Sequence, residues 1–235
     1  NKSPSYIQSR FDALFEENHS FTRIYHVAGY NFPSLPILTN ENPKKFTFMQ
    51  WGLIPYWTKD EEYAQKIRKM TGNARAESIF EKSSFKVPAR KKRCIIPVDG
   101  FFERRKIVEK KYPYYIQMKD EDAFAIAGLW DSWTNKKTGS TTNTFTIITT
   151  EANPLLARIH NTKERMPAIL EREHEKRWIQ NILEKEEIEL MLKPYEEKEM
   201  KAHPVKKLIL NKDSNIPEAI ENYNYPGLGD QKTLF

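Results

Sequence analysis

Three fragments hold side chains that can act together on a carbonyl group. They are Asn73 within Asn73-Ala74-Arg75-Ala76-Glu77, Glu103 at the end of Pro97-Val98-Asp99-Gly100-Phe101-Phe102-Glu103, and His160 ahead of Arg165-Met166-Pro167. An amide can hold an oxygen in place, a carboxyl can give a proton and an imidazole can take one. Glu103 follows two phenylalanines just after a turn, and apolar neighbours raise a carboxyl pKa so that the proton is retained nearer neutrality. His160 is placed at the end of a short helix, where the helix C-terminus favours its protonated form. Blander readings stand beside these. A strand glutamate can simply pair with Arg104 or Lys106, a lone histidine is more often structural, and an asparagine in a non-repetitive stretch commonly forms a turn. The constellation lacks a nucleophile. Cys94, the one cysteine, lies in the apolar run Cys94-Ile95-Ile96 and reads as a buried, inert core thiol, so a thiol peptidase built on it is the weakest reading.

The chain has 235 residues, 39% hydrophobic and 12% aromatic, enough to bury one full core, and a single domain over 1–235 is expected. No apolar run approaches the ~18 residues of a membrane span, so no membrane partner is expected. A single cysteine excludes an internal disulfide framework and fits a reducing compartment, which points to a cytoplasmic location. His19, His26, His160, His174 and His203 are scattered without cysteine partners, so neither a metal site nor a cofactor is expected. The net charge is +6, and the stretch from Pro88 to Lys111 carries a surplus of the same size through Arg90, Lys91, Lys92, Arg93, Arg104, Arg105, Lys106, Lys110 and Lys111. Such a run is either a solvated face or a phosphate-binding surface, and its position around Glu103 favours the second.

The elements that must position these residues follow from periodicity and punctuation. Helices are predicted over 4–16, with Ile7, Phe11, Leu14 and Phe15 on one stripe, over 60–70, over 173–183 with Trp178, Ile179, Ile182 and Leu183 inward, and over 184–192. Strands are predicted near 46–51, 93–98, 101–105, 112–118, 123–133 and 144–150, with a hairpin turn at Asp99-Gly100. Pro97 suggests a bulged or edge strand. Asn153 followed by Pro154 marks the start of a short helix ending near His160. A polar tail over about 211–235 is expected to be loosely held. Strands fill the middle and helices the ends, so the fold class is α+β with mainly antiparallel strands.

Taken in order, the fragments resemble the SRAP family, the SOS-response-associated peptidases that act on abasic sites. The resemblance is carried by Trp51-Gly52-Leu53-Ile54-Pro55-Tyr56-Trp57, the Asn73–Glu77 and Arg93–Glu103 fragments, Ala127-Gly128-Leu129-Trp130, and Phe145-Thr146-Ile147-Ile148-Thr149-Thr150. Ile159-His160 with Arg165-Met166-Pro167, and His203-Pro204-Val205, complete it. It implies a barrel-like sheet with peripheral helices. It also implies a monomer, nucleoid-associated when bound to single-stranded DNA, that crosslinks to abasic sites. The crosslink would be a thiazolidine made by an N-terminal cysteine exposed by autoproteolytic loss of the initiator methionine, and that Met-Cys start is expected a few residues ahead of Asn1. By the same resemblance Asn73, Glu103 and His160 are catalytic, while Trp57, Arg75, Thr149, Arg165 and His26 contact DNA. Three departures are visible. The cysteine is not in the chain, four residues separate His160 from Arg165, and Tyr25-His26-Val27-Ala28-Gly29 replaces the family's Tyr-Asn-Val-Ala-Pro. A family member without the cysteine would be a silent single-stranded DNA-binding protein.

Overall fold

The computed structural model describes residues 1–16, 22–207 and 214–226. Helix α1 (Pro4–Phe11) starts where the Ser3 hydroxyl accepts from the Tyr6 amide and Pro4 occupies the first turn. It ends sooner than the periodicity suggests, because Asp12 takes a left-handed conformation with φ 52°. Leu14 therefore leaves the stripe and is exposed, bridging by its backbone to Lys45, while Phe15 stacks on Phe46 at 4.4 Å.

Strands β1 (Ser34–Thr39) and β2 (Thr47–Trp51) form an antiparallel pair. Helix α2 (Glu61–Arg68), capped by Asp60, leads to the short strand β3 (Asn73–Arg75). Then come α3 (Lys86–Lys91), β4 (Arg93–Val98), β5 (Phe101–Ile107), β6 (Lys110–Met118), β7 (Phe124–Thr134) and β8 (Thr141–Glu151). The rest of the chain supplies α4 (Pro154–Ile159), β9 (Arg165–Pro167), β10 (Ile169–Leu170), α5 (Glu175–Trp178), α6 (Lys185–Met191) and β11 (Met200–Pro204).

Five of these strands close on themselves in the order β7-β4-β1-β2-β8 and back to β7. Closure depends on the length of β7. Its Phe124–Leu129 part pairs with β4 and its Gly128–Thr134 part with β8. Gly128 sits where the two pairings overlap, and a Cβ there would come within 2.4 Å of Ile96 and 2.8 Å of the Thr146 carbonyl oxygen. The ring is mixed, because β2 runs parallel to β8. Alternation divides its side chains. Ile37, Met49, Cys94, Ile96, Ile126, Phe145 and Ile147 join one buried cluster. Leu38, Ile95, Ala127, Leu129 and Ile148 join another with Ile7, Phe11, Ala89, Trp178 and Ile188 of the helices. A second antiparallel sheet, β11-β6-β5, carries Glu103. The architecture is the α+β barrel-like domain expected.

Further expectations are corrected. Asp99-Gly100 does not turn a hairpin: β4 pairs with β7 and β1, β5 pairs with β6, and the turn carries the chain between sheets. Pro97 lies inside the ring, not on an edge strand. It faces Ala125 on one side, and on the other the β1 pairing stops at Ile95, so its missing N–H costs no ladder bond there. The helix predicted over 173–183 shrinks to the single turn α5. The buried guanidinium of Arg93 takes the carbonyls of Trp178 and Gln180, and Ile182 ends up exposed. Of the polar tail, Ser214 to Pro226 packs on the sheet: Tyr225 donates to the Val205 carbonyl at 2.8 Å and Ala219 is buried. The remainder, 211–213 and 227–235, lies outside the described residues.

Candidate active site

One cavity of about 720 Å³ gathers most of the residues singled out from the sequence. Asn73, Arg75, Thr149, Glu103, His160, Arg165 and His26 all line it, with Asn1 and Lys2 at the start of the chain. Trp57 does not. Its ring lies beside Tyr63 at 6.3 Å and is 39% exposed, while Trp51, which donates its indole N–H to the Gly72 carbonyl at 2.7 Å, lines the cavity instead.

Parallel pairing with β8 sets Asn73 opposite Ile147 and Arg75 opposite Thr149. Positions two apart in a strand share a face, so Asn73 and Arg75 point the same way and Ala74 is buried between them. Glu103 comes from β5, opposite Tyr114. His160 closes α4, whose first turn is capped by the Asn153 side chain accepting from the Leu156 amide at 2.9 Å. Its imidazole Nδ1 lies 2.9 Å from the Arg165 carbonyl oxygen and 3.5 Å from Glu103 Oε1. The four residues between His160 and Arg165 fold as a turn that docks on β5. Asn161 accepts from the Lys106 amide at 3.0 Å and donates to its carbonyl at 2.8 Å. This turn holds the histidine against the glutamate.

Burial pushes the Glu103 carboxyl above the ordinary glutamate range, opposed by the charges of His160, Arg104 and Lys163. That is the direction expected from its aromatic neighbours. His26 is pushed down by burial and by Arg104, and its Nδ1 lies 2.6 Å from Ser214 Oγ. Burial pushes the Cys94 thiol well up, and the side chain is fully enclosed.

Some participants were not singled out from the sequence. Asp99, read only as a turn residue, accepts from the Asn1 amino nitrogen at 2.7 Å and from the Lys2 amide at 3.1 Å, tying the start of the chain into the cavity. Glu77 grips the Arg165 guanidinium at 2.7 and 3.0 Å. The basic run also divides. Arg104, Lys106 and Lys111 line the cavity together with Lys2, Arg75 and Lys163. Arg93 instead is fully buried, donates to the carbonyls of Ala89 and Arg90 as well as those of Trp178 and Gln180, and has its pKa lowered to about 10 by burial. Lys92 pairs with buried Asp131 at 2.8 Å.

The SOS response associated peptidase (SRAP) family matches residues 1–212. The chain belongs to the SRAP family. Its curated relatives include the abasic site processing protein YoqW of Bacillus subtilis, 40% identical over 85% of this chain and 88% of that one. They also include YoaM of the same organism, named likewise, 36% identical over 93% and 97%. The abasic site processing protein HMCES of Xenopus tropicalis is 32% identical over 73% of this chain and 56% of its own. Among solved structures, a Bacteroides thetaiotaomicron protein superposes with a TM-score of 0.84 at 45% identity, covering 87% of this chain and 88% of that one. Five of the fragments that carried the resemblance contribute residues to the cavity: those of Trp51, of Asn73 and Arg75, of Glu103, of Thr149, and of His160 with Arg165.

Proposed function

We propose that this protein binds single-stranded DNA at abasic sites and crosslinks to it through an N-terminal cysteine carried ahead of Asn1. The observation that carries this reading is that the Asn1 amino nitrogen, the Glu103–His160 pair and Asn73 all line one cavity ringed by cations. In this reading the upstream segment is joined at that nitrogen and so starts inside the cavity. The abasic sugar opens to an aldehyde, and Glu103, whose carboxyl burial pushes above the ordinary glutamate range, is suited to hand a proton to the ring oxygen while His160 accepts one. The terminal amine adds to the aldehyde carbon and water leaves, giving an imine. The cysteine thiolate then adds to the same carbon, and the nitrogen takes a proton to close the thiazolidine. In this reading Asn73, which is exposed on β3, holds a sugar oxygen. The same cysteine and Glu103 serve removal of the initiator methionine. Action as a monomer in the cytoplasm belongs to the same reading. No helix among the described residues is long and apolar enough to cross a membrane.

The test uses the full gene product. Its codons upstream of Asn1 should begin Met-Cys. Crosslinking to an abasic single strand, followed on denaturing gels, should slow by ~100- to 10,000-fold in Glu103→Gln, with binding to an intact strand nearly unchanged, because the amide keeps the shape but cannot cycle a proton. His160→Ala should behave similarly. Crosslinking at full speed by Glu103→Gln removes the assignment. A start without cysteine leaves a protein that only binds DNA.

A further inference from the structure

Arg165 lines the cavity, yet its guanidinium is already gripped. Nη1 donates to Glu77 Oε1 at 2.7 Å and Nη2 to Oε2 at 3.0 Å, the two-point arrangement a guanidinium also makes on phosphate. Nη2 reaches the Thr149 carbonyl at 2.6 Å as well, while the Nε–H is buried with no partner. The two residues differ in freedom. The Arg165 side chain is 16% exposed and Glu77 is 49% exposed, outside the residues that line the cavity. A carboxylate so placed can turn to water at small cost, whereas Arg165 stays packed and tied to β8.

We propose that Glu77 is an internal occupant of the Arg165 fork that a DNA phosphate displaces, so that Glu77 sets how tightly the strand is held. The inference rests on the reading that the cavity takes DNA. It opposes the simpler view that Glu77 orients Arg165, because the two views give opposite signs. If the carboxylate competes, its removal strengthens binding. If it orients, removal weakens binding. The size is bounded by what a half-exposed ion pair contributes, which corresponds to a gain of up to about fivefold.

Fluorescence anisotropy with a labelled single-stranded oligonucleotide that lacks abasic sites reads this directly. Glu77→Gln should bind about two- to fivefold more tightly than the unaltered protein. Glu81→Gln, which removes another exposed carboxylate from the same segment, should not. Added to Arg165→Gln, the Glu77 change should bring no gain. Equal or weaker binding by Glu77→Gln, with the unaltered protein binding normally, overturns the inference and leaves the DNA reading standing. Absence of binding by both proteins removes both.

Discussion

At the scale of single residues, Glu103 and Cys94 show how burial decides chemistry. Burial raises both groups, but Glu103 faces a cavity with His160 3.5 Å away and Cys94 faces only core. A step that draws its proton from Glu103 runs fully below the raised pKa and falls away as pH rises through it. Lys163 pulls that pKa down, so Lys163→Gln should move the falling limb of the crosslinking rate to higher pH, with the difference shrinking in high salt. A limb that stays still shows that the charge does not reach Glu103. Cys94→Ala should leave crosslinking intact and cost about 1–2 kcal/mol of stability in denaturant titrations, and the native thiol should resist alkylation until the protein unfolds. Glu103 and His160 were legible in the sequence because each stands inside a recognisable fragment. Asp99 and Glu77 lay in the same fragments, yet their partners are 98 and 88 positions away, where no local spacing reveals them.

At the scale of elements, local rules placed the starts of helices better than their ends. Asn153-Pro154 and Asp60 both cap as their types require. The stops came from long-range partners: Arg93 takes the carbonyls that would have continued α5, and the β4–β5 turn leads between two sheets because β7 claims β4. None of that is written in periodicity. The cap at Asn153 has a consequence for the site. Its side chain accepts from Leu156 and donates to the Tyr195 carbonyl at 2.8 Å, so it fixes both the entry of α4 and the chain behind it. Asn153→Ala should cost about 1–2 kcal/mol in thermal or chemical unfolding. Because His160 closes the same six-residue helix, crosslinking should slow more than binding does. Loss of stability with crosslinking untouched would mean that the Asn161 clamp on Lys106 positions the histidine without help from α4.

At the scale of the whole molecule, the basic surplus looked like one patch in the sequence, and the fold separates it. Six residues of β4 span about 20 Å, so Arg90 and Lys91 stand at one end of that strand and Arg104, Lys106 and Lys111 lie beyond the other. The end nearer Arg90 uses its cations internally: Arg93 is buried, Lys92 pairs with Asp131, and the Arg90 guanidinium lies over the Phe80 ring at 5.3 Å. The cavity end draws in cations from distant parts of the chain, Lys2, Arg75, Lys163 and Arg165. If the strand follows the cavity, only this second group meets phosphates. For single-stranded DNA each phosphate neutralised contributes roughly −0.7 to the slope of log affinity against log salt. Replacing Arg104, Lys111 and Lys163 together by glutamine should therefore make that slope shallower by up to about 2, measured by anisotropy on an intact oligonucleotide at several salt concentrations. Replacing Arg90 and Lys91 removes charge of the same sign from the other end and should leave the slope unchanged. Equal loss from both sets would place the strand along the whole barrel rather than across its cavity end.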